Sequence, residues 1–274
     1  MSNIPKIKLN DGQSIPQLGF GLWKVDEAQA GSVMSIAIEA GYRAFDGAAI
    51  YRNESGVGLA IEKSNLKREE LYITTKLWND DQKEAEKAFE QSMTKLKLKY
   101  LDLYLIHWPA PKNEAYVQAW KSLIELKKSG RVKSIGVSNF QVDHLKKIMD
   151  ETGVIPVINQ IELHPQFQQK ELRDFHEKHG IQTESWSPLG QGKILDNPVI
   201  NKIALKHKKT PAQIILRWHI ENQLIVIPKS VTSSRIKENI NVFDFNLDVT
   251  DLKDINQLDS EVGRIGPSPL TAAF

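Results

Sequence analysis

The stretch Leu71-Tyr72-Ile73-Thr74-Thr75-Lys76 is apolar and β-branched until it ends in a lysine. Runs of that composition form strands buried on both faces, as in parallel sheets. Working outward from it, residues 17–20, 44–46, 103–106, 134–137, 157–160, 183–186 and 224–227 read the same way. They recur at about thirty-residue intervals, the spacing of βα units. Residues 27–40, 83–98, 114–128 and 141–150 carry apolar side chains at three- and four-residue spacing and predict helices between the strands. Residues 210–222 open with Pro211 at a favoured first-turn position, and residues 251–258 predict an extra helix near the end. Residues 6–9 and 14–15 flank Asp11-Gly12 as a small hairpin would.

Eight such units without a break in composition predict one domain over residues 1–274. The expected fold is a (β/α)8 TIM barrel with an N-terminal β-hairpin and extra C-terminal helices. A doubly wound sheet binding a dinucleotide would carry a three-glycine fingerprint after its first strand. Gly19-Phe20-Gly21, Gly56-Val57-Gly58 and Gly190-Gln191-Gly192 all lack the third glycine, and no phosphate loop of the G-x-x-x-x-G-K-[ST] type occurs.

Composition narrows the partners. The chain is 41% hydrophobic and 26% charged, ordinary for a globular protein. Its net charge of +2, from 36 basic and 34 acidic residues, argues against nucleic-acid binding, which leans on phosphate neutralisation. Without cysteine there is no disulfide framework, thiolate metal site or cysteine nucleophile. The first ten residues hold no apolar signal segment, and the apolar runs fall well short of the ~20 residues of a membrane span. A cytoplasmic location is the expectation.

Barrels of this kind place chemistry at the C-terminal ends of their strands. Here those ends deliver Trp23, Asp46, Tyr51, Lys76, His107, Ser138, Asn139, Gln160, Trp186, Lys229 and Ser230 to one rim. Taken singly, an aspartate after a strand is more often a helix cap and a lone histidine a structural residue. Lys76 is harder to dismiss, because its stem starts in the barrel wall and lysine is rarely buried unpaired. Asp46, on the adjacent strand, is its expected partner. Together Asp46, Tyr51, Lys76 and His107 form a proton-transfer group. The ammonium is expected to lower the tyrosine's pKa from ~10, and the histidine to orient a carbonyl oxygen.

Two loops could hold phosphate. Ser187-Pro188-Leu189-Gly190-Gln191-Gly192 follows the seventh strand with glycines that permit close backbone approach. The segment from Lys229 to Arg235 follows the eighth and combines two cations, four hydroxyls and a helix N-terminus, more than a solvated, capped helix start requires. Trp23, Trp78 and Trp108 follow strand ends and are expected to wall a substrate pocket, with Leu270 and Phe274 near its mouth. Trp120 and Trp218 fall inside helices and read as core. His176 and His179 share a helix, but no third ligand accompanies them, so no metal is expected.

At these residues the sequence resembles the aldo-keto reductase family. Residues 41–51 (GYRAFDGAAIY), 75–78 (TKLW), 103–109 (LYLIHWP), 136–140 (GVSNF) and 227–230 (IPKS) match its motifs in order along nearly the whole chain. Residues 159–165 (NQIELHP) and 184–189 (ESWSPL) are closer to the bacterial 2,5-diketo-D-gluconate reductase A group. The resemblance implies NADPH-dependent reduction of aldehydes and ketones by a monomer, with Tyr51 as general acid. Keto acids, keto esters, dicarbonyls and diketo sugar acids are the implied substrates. It implies that Ser138, Asn139 and Gln160 bind the nicotinamide carboxamide and that Trp186 stacks on the ring. Ser187, Leu189, Gln191 and Gly192 would cover the pyrophosphate. Lys229, Ser230 and Arg235 would hold the 2′-phosphate, with Glu238 and Asn239 at the adenine. The chain departs from the family pattern at Gly47 and in its last five residues. Two other readings are a redox-sensing module with little turnover, and an aldolase using Lys76 as a Schiff-base nucleophile. The second conflicts with Asp46, which would raise the lysine pKa.

Overall fold

The computed structural model describes residues 4–272, so Phe274 lies outside the described residues. The expected hairpin is present as β1 (Lys6–Lys8) and β2 (Ser14–Pro16), paired antiparallel. Eight parallel strands follow among the described residues. They are β3 (Phe20–Gly21), β4 (Ala44–Asp46), β5 (Tyr72–Leu77), β6 (Leu101–Ile106), β7 (Val132–Ser138), β8 (Ile158–Glu162), β9 (Gln182–Trp186) and β10 (Ile225–Val226). Each pairs with its sequence neighbour, in the order β3 through β10. The sheet curls until its edges meet: Leu18 bridges Val226, Gly19 N donates to Val226 O, and Val226 N donates to Gln17 O.

Helices cover the outside. They are α1 (Glu27–Ala40), α2 (Glu54–Lys63), α3 (Ala85–Leu96), α4 (Tyr116–Lys128), α5 (Val142–Thr152), α6 (Lys170–His179), α7 (Pro198–His207), α8 (Pro211–Glu221), α9 (Ser233–Asn239) and α10 (Val249–Asn256). In α1 the buried positions Ala30, Val33, Met34 and Ala37 keep helical spacing, and Gly41 ends the helix with φ 111°. Thr210 caps α8 by accepting from Gln213 N, with Pro211 in the first turn. Trp120 and Trp218 are fully buried.

Some boundaries move. The first strand shifts from 17–20 to Phe20–Gly21, because Leu18 and Gly19 join the opposite edge of the sheet. The stretch expected to be helical from residue 83 begins as a 3-10 segment, Asn79–Glu84, whose Gln82 donates to Trp108 O. Helix α2 was not expected at all. A Cβ on Gly56 would lie 2.5 Å from Glu27 O, and one on Gly58 2.6 Å from Lys95 O. These glycines let α2 pack tightly against its neighbours, at the cost of helix propensity in the sequence.

Leu9 and Ile15 of the hairpin region pack with Leu103, Leu105, Ile158 and Ile225, filling the N-terminal end of the sheet interior. The larger core lies between the strands and helices. Polar side chains therefore collect at the C-terminal end. No helix among the described residues is long and apolar enough to cross a membrane.

Candidate active site

Strand register assembles the centre. Asp46 pairs with Thr74, and Lys76 lies two residues further along β5, on the same face of the sheet. Lys76 Nζ donates to Asp46 Oδ1 at 2.5 Å and to Gly47 O at 2.8 Å, and lies 3.5 Å from the Tyr51 hydroxyl. Lys76 is fully buried. Burial, the largest single influence, would lower its pKa, but the charge and hydrogen bond of Asp46, with the acidic groups of Tyr51 and Glu184, together outweigh it and hold the ammonium above its ordinary value.

Tyr51 sits on a 3-10 turn, Ala49–Tyr51, just beyond β4. Its pKa differs from the expectation. Burial pushes the phenol up, and the opposing pull of Lys76 does not overcome it, so the hydroxyl stays above its ordinary value. The His107 ring meets Tyr51 edge-on at 5.7 Å and Trp78 at 5.3 Å. Burial, reinforced by the Lys76 charge, drives its pKa well below 6.5, so the imidazole is neutral. Its Nδ1 is buried with no hydrogen-bond partner.

A second carboxyl lies beneath this group. Gln160 pairs with Glu184 across β8 and β9. Its Nε2 donates to Asp46 Oδ2 and to Glu184 Oε2, each at 2.9 Å. Burial first, and the Asp46 charge second, push the Glu184 carboxyl up to about 8. A glutamate in a run expected to be a strand gave no signal that its carboxyl would be buried beside an aspartate.

Asp46, Tyr51, His107 and Gln160 floor a cleft of about 1230 Å³, with Lys76 and Glu184 behind them. Trp78, Trp108, Asn139 and Trp186 line it beside that floor, together with the 41% exposed Trp23, and Ser187, Leu189, Gln191 and Gly192 form one side. Lys229, Ser230, Arg235, Glu238 and Asn239 line its far end. Ser138 is different: it is fully buried and its hydroxyl donates to Gln160 O. Asn139 donates to His107 O at 2.9 Å and accepts from Trp186 Nε1 at 2.8 Å, which sets the indole plane. The covering loop contains positive φ at Ser187, Gly190, Gln191 and Gly192.

The tail contributes Ile265, Gly266 and Pro267 to the cleft wall, whereas Leu270 is 62% exposed. At the far end, burial and the neighbouring Lys24 charge hold the Lys229 ammonium below its ordinary value. An anion placed there would relieve that repulsion. His176 is buried against Asn159 and Thr183, each 2.9 Å from a ring nitrogen.

Comparison with known proteins identifies the family. The model of the aldo/keto reductase family matches residues 17–260. Methylglyoxal reductase DkgA of Escherichia coli K12 is 54% identical over 271 residues, 98% of each chain. An aldo-keto reductase of Mycolicibacterium smegmatis is 50% identical over 272 residues, again 98% of each. Among solved structures, a mutant of Gox0644 in complex with NADPH superposes with a TM-score of 0.95 at 52% identity, covering 98% of this chain and 99% of that one. A Bombyx mori aldo-keto reductase in complex with NADP gives 0.87 at 36% identity over 93% and 92% of the two chains. The chain belongs to the aldo/keto reductase family.

Proposed function

We propose that this chain is a closed, single-domain (β/α)8 barrel that works as a cytoplasmic monomer and reduces small aldehydes and ketones with NADPH. Methylglyoxal-like dicarbonyls and keto acids suit the pocket, which is apolar at Trp23, Trp78 and Trp108 and polar at Tyr51 and His107. The carrying observation is the fully buried Lys76, bonded to Asp46 and 3.5 Å from the Tyr51 hydroxyl at the floor of the cleft.

The residues present fit the cofactor. Lys229, crowded by Lys24, and Arg235 supply cations for the 2′-phosphate, with the Ser230 hydroxyl beside them. Trp186, held by Asn139, offers a flat face for the nicotinamide. Both amide hydrogens of Gln160 are engaged below, which leaves its carbonyl oxygen to accept from the carboxamide. When bound, NADPH supplies hydride to the carbonyl carbon.

Tyr51 gives its proton to the carbonyl oxygen, and its high pKa keeps that proton in place at neutral pH. As the proton leaves, Lys76 faces a phenolate. Two unit charges about 4 Å apart interact by about 4 kcal/mol at an effective dielectric of ~20, so the ammonium favours the transfer as charge develops. Asp46 keeps Lys76 charged and fixed. Neutral His107 can donate one hydrogen bond to the carbonyl oxygen and hold it against Tyr51. Such general acid catalysis contributes ~10²–10⁴-fold.

The test is loss of NADPH absorbance with methylglyoxal, run beside NADH. Strong preference for NADPH is the expected result. Cofactor binding without turnover on any small carbonyl would favour the redox-sensing reading instead.

A further inference from the structure

Glu162 ends β8, two residues beyond Gln160 and on the same face of the strand. It is 1% exposed. Both of its oxygens are taken by the C-terminal tail: Ile265 N donates to Oε1 at 2.6 Å and Gly266 N to Oε2 at 2.9 Å. His164 Nε2 lies 3.3 Å from Oε1. Burial would raise this carboxyl, but the hydrogen bonds from His164, Ile265 and Gly266 outweigh it and hold it ionised.

The tail is built for this seat. A Cβ on Gly266 would lie 2.6 Å from the Trp186 ring and 2.9 Å from Glu162 Oε2, so only glycine brings the backbone amide so close. Gly263 is equally constrained, since a Cβ there would lie 1.7 Å from Gln166 O. Between them the Arg264 guanidinium packs 4.4 Å over the Phe167 ring. Ile265, Gly266 and Pro267 then form part of the cleft wall beside Trp186.

We propose that Glu162 is a specificity-determining positioning residue, whose buried carboxylate latches the tail at Ile265 and Gly266 and so fixes the wall against which the carbonyl substrate packs. The proposal rests on the reductase reading for its substrate effect, but the latch itself does not. Among the described residues the hydrogen bonds of the Glu162 carboxylate go to His164, Ile265 and Gly266, and not to Tyr51, His107, Lys229 or Arg235. Trp186 keeps its separate tie to Asn139. Releasing the latch therefore loosens the substrate wall and leaves proton delivery and the cofactor cradle in place.

Two variants test it, Glu162→Gln and Gly266→Ala, which break the latch from opposite sides. Charge-assisted hydrogen bonds are strong enough that either variant is expected to raise KM for methylglyoxal about tenfold. For Glu162→Gln, which leaves the Trp186 ring untouched, the same account keeps kcat and the NADPH Kd within about threefold and shifts kcat/KM toward bulkier aldehydes. Gly266→Ala, whose added Cβ meets the Trp186 ring, is read by KM and by exchange alone. The double variant should be no worse than the weaker single, because both remove one coupled contact.

Hydrogen exchange over residues 262–270 reads the latch without turnover, and both variants should exchange faster there than the wild type. Faster exchange with no turnover in the wild type would fault the reductase reading and leave the latch standing. Unchanged exchange, a fall in kcat at constant KM, or additive effects in the double variant would overturn the latch.

Discussion

The Lys76 ammonium lies 2.5 Å from the Asp46 carboxylate, and neither side chain is more than 5% exposed. Removing one member of a buried ion pair leaves an uncompensated charge, which costs about 3–5 kcal/mol. Lys76→Met should lose stability on that scale, measured by urea unfolding. Asp46→Asn combined with Lys76→Met should recover most of the stability and none of the turnover. A single variant as stable as the wild type would mean that the pair is not isolated from solvent.

Glu184 predicts a pH dependence of stability. Its carboxyl is raised from 4.5 to about 8 by burial and by Asp46, so the folded state holds a proton that the unfolded chain has released. Stability from this group is therefore fully present below about pH 4.5 and declines as pH rises to about 8, then levels off. Glu184→Gln removes the titration. Its stability relative to wild type should climb between pH 5 and pH 8, measured by urea unfolding at several pH values. A pH-independent difference would contradict the burial of a neutral acid there.

His107 predicts an absence in the rate profile. Burial holds the imidazole neutral well below 6.5, so kcat/KM for reduction should show no inflection near the ordinary histidine value. An inflection near pH 6.5 that disappears in His107→Gln would show that the ring titrates during turnover.

The far end of the cleft predicts cofactor choice. Lys229 and Arg235 line it, and a hydrogen bond to a charged group contributes about 1.5–3 kcal/mol. Arg235→Ala should weaken NADPH about ten- to a hundredfold by that scale and leave NADH unchanged. Equal losses for both cofactors would place Arg235 on a group the two share.

Much of this was legible in the sequence. Apolar runs ending in Asp46, Lys76 and His107 announced buried parallel strands with charges at their C-terminal ends, and the register put Asp46 and Lys76 together. What escaped has physical causes. Helix α2 was hidden because Gly56 and Gly58 serve packing against Glu27 and Lys95 rather than helix propensity. The sign of the Tyr51 shift depends on burial, which a sequence does not state, and burial with the Asp46 and Glu184 charges exceeds the pull of Lys76. The latch of Glu162 to Ile265 spans 103 residues and uses backbone amides, which leave no mark in side-chain pattern.

The most direct test is Tyr51→Phe, with kcat for methylglyoxal and NADPH affinity measured on the same preparation. The ring stays and only the hydroxyl, with its transferable proton, is lost. A fall in kcat of about 10²-fold or more, with the NADPH Kd within about twofold of wild type, is the predicted result. Turnover retained near the wild-type level would contradict the assignment of Tyr51 as the proton donor.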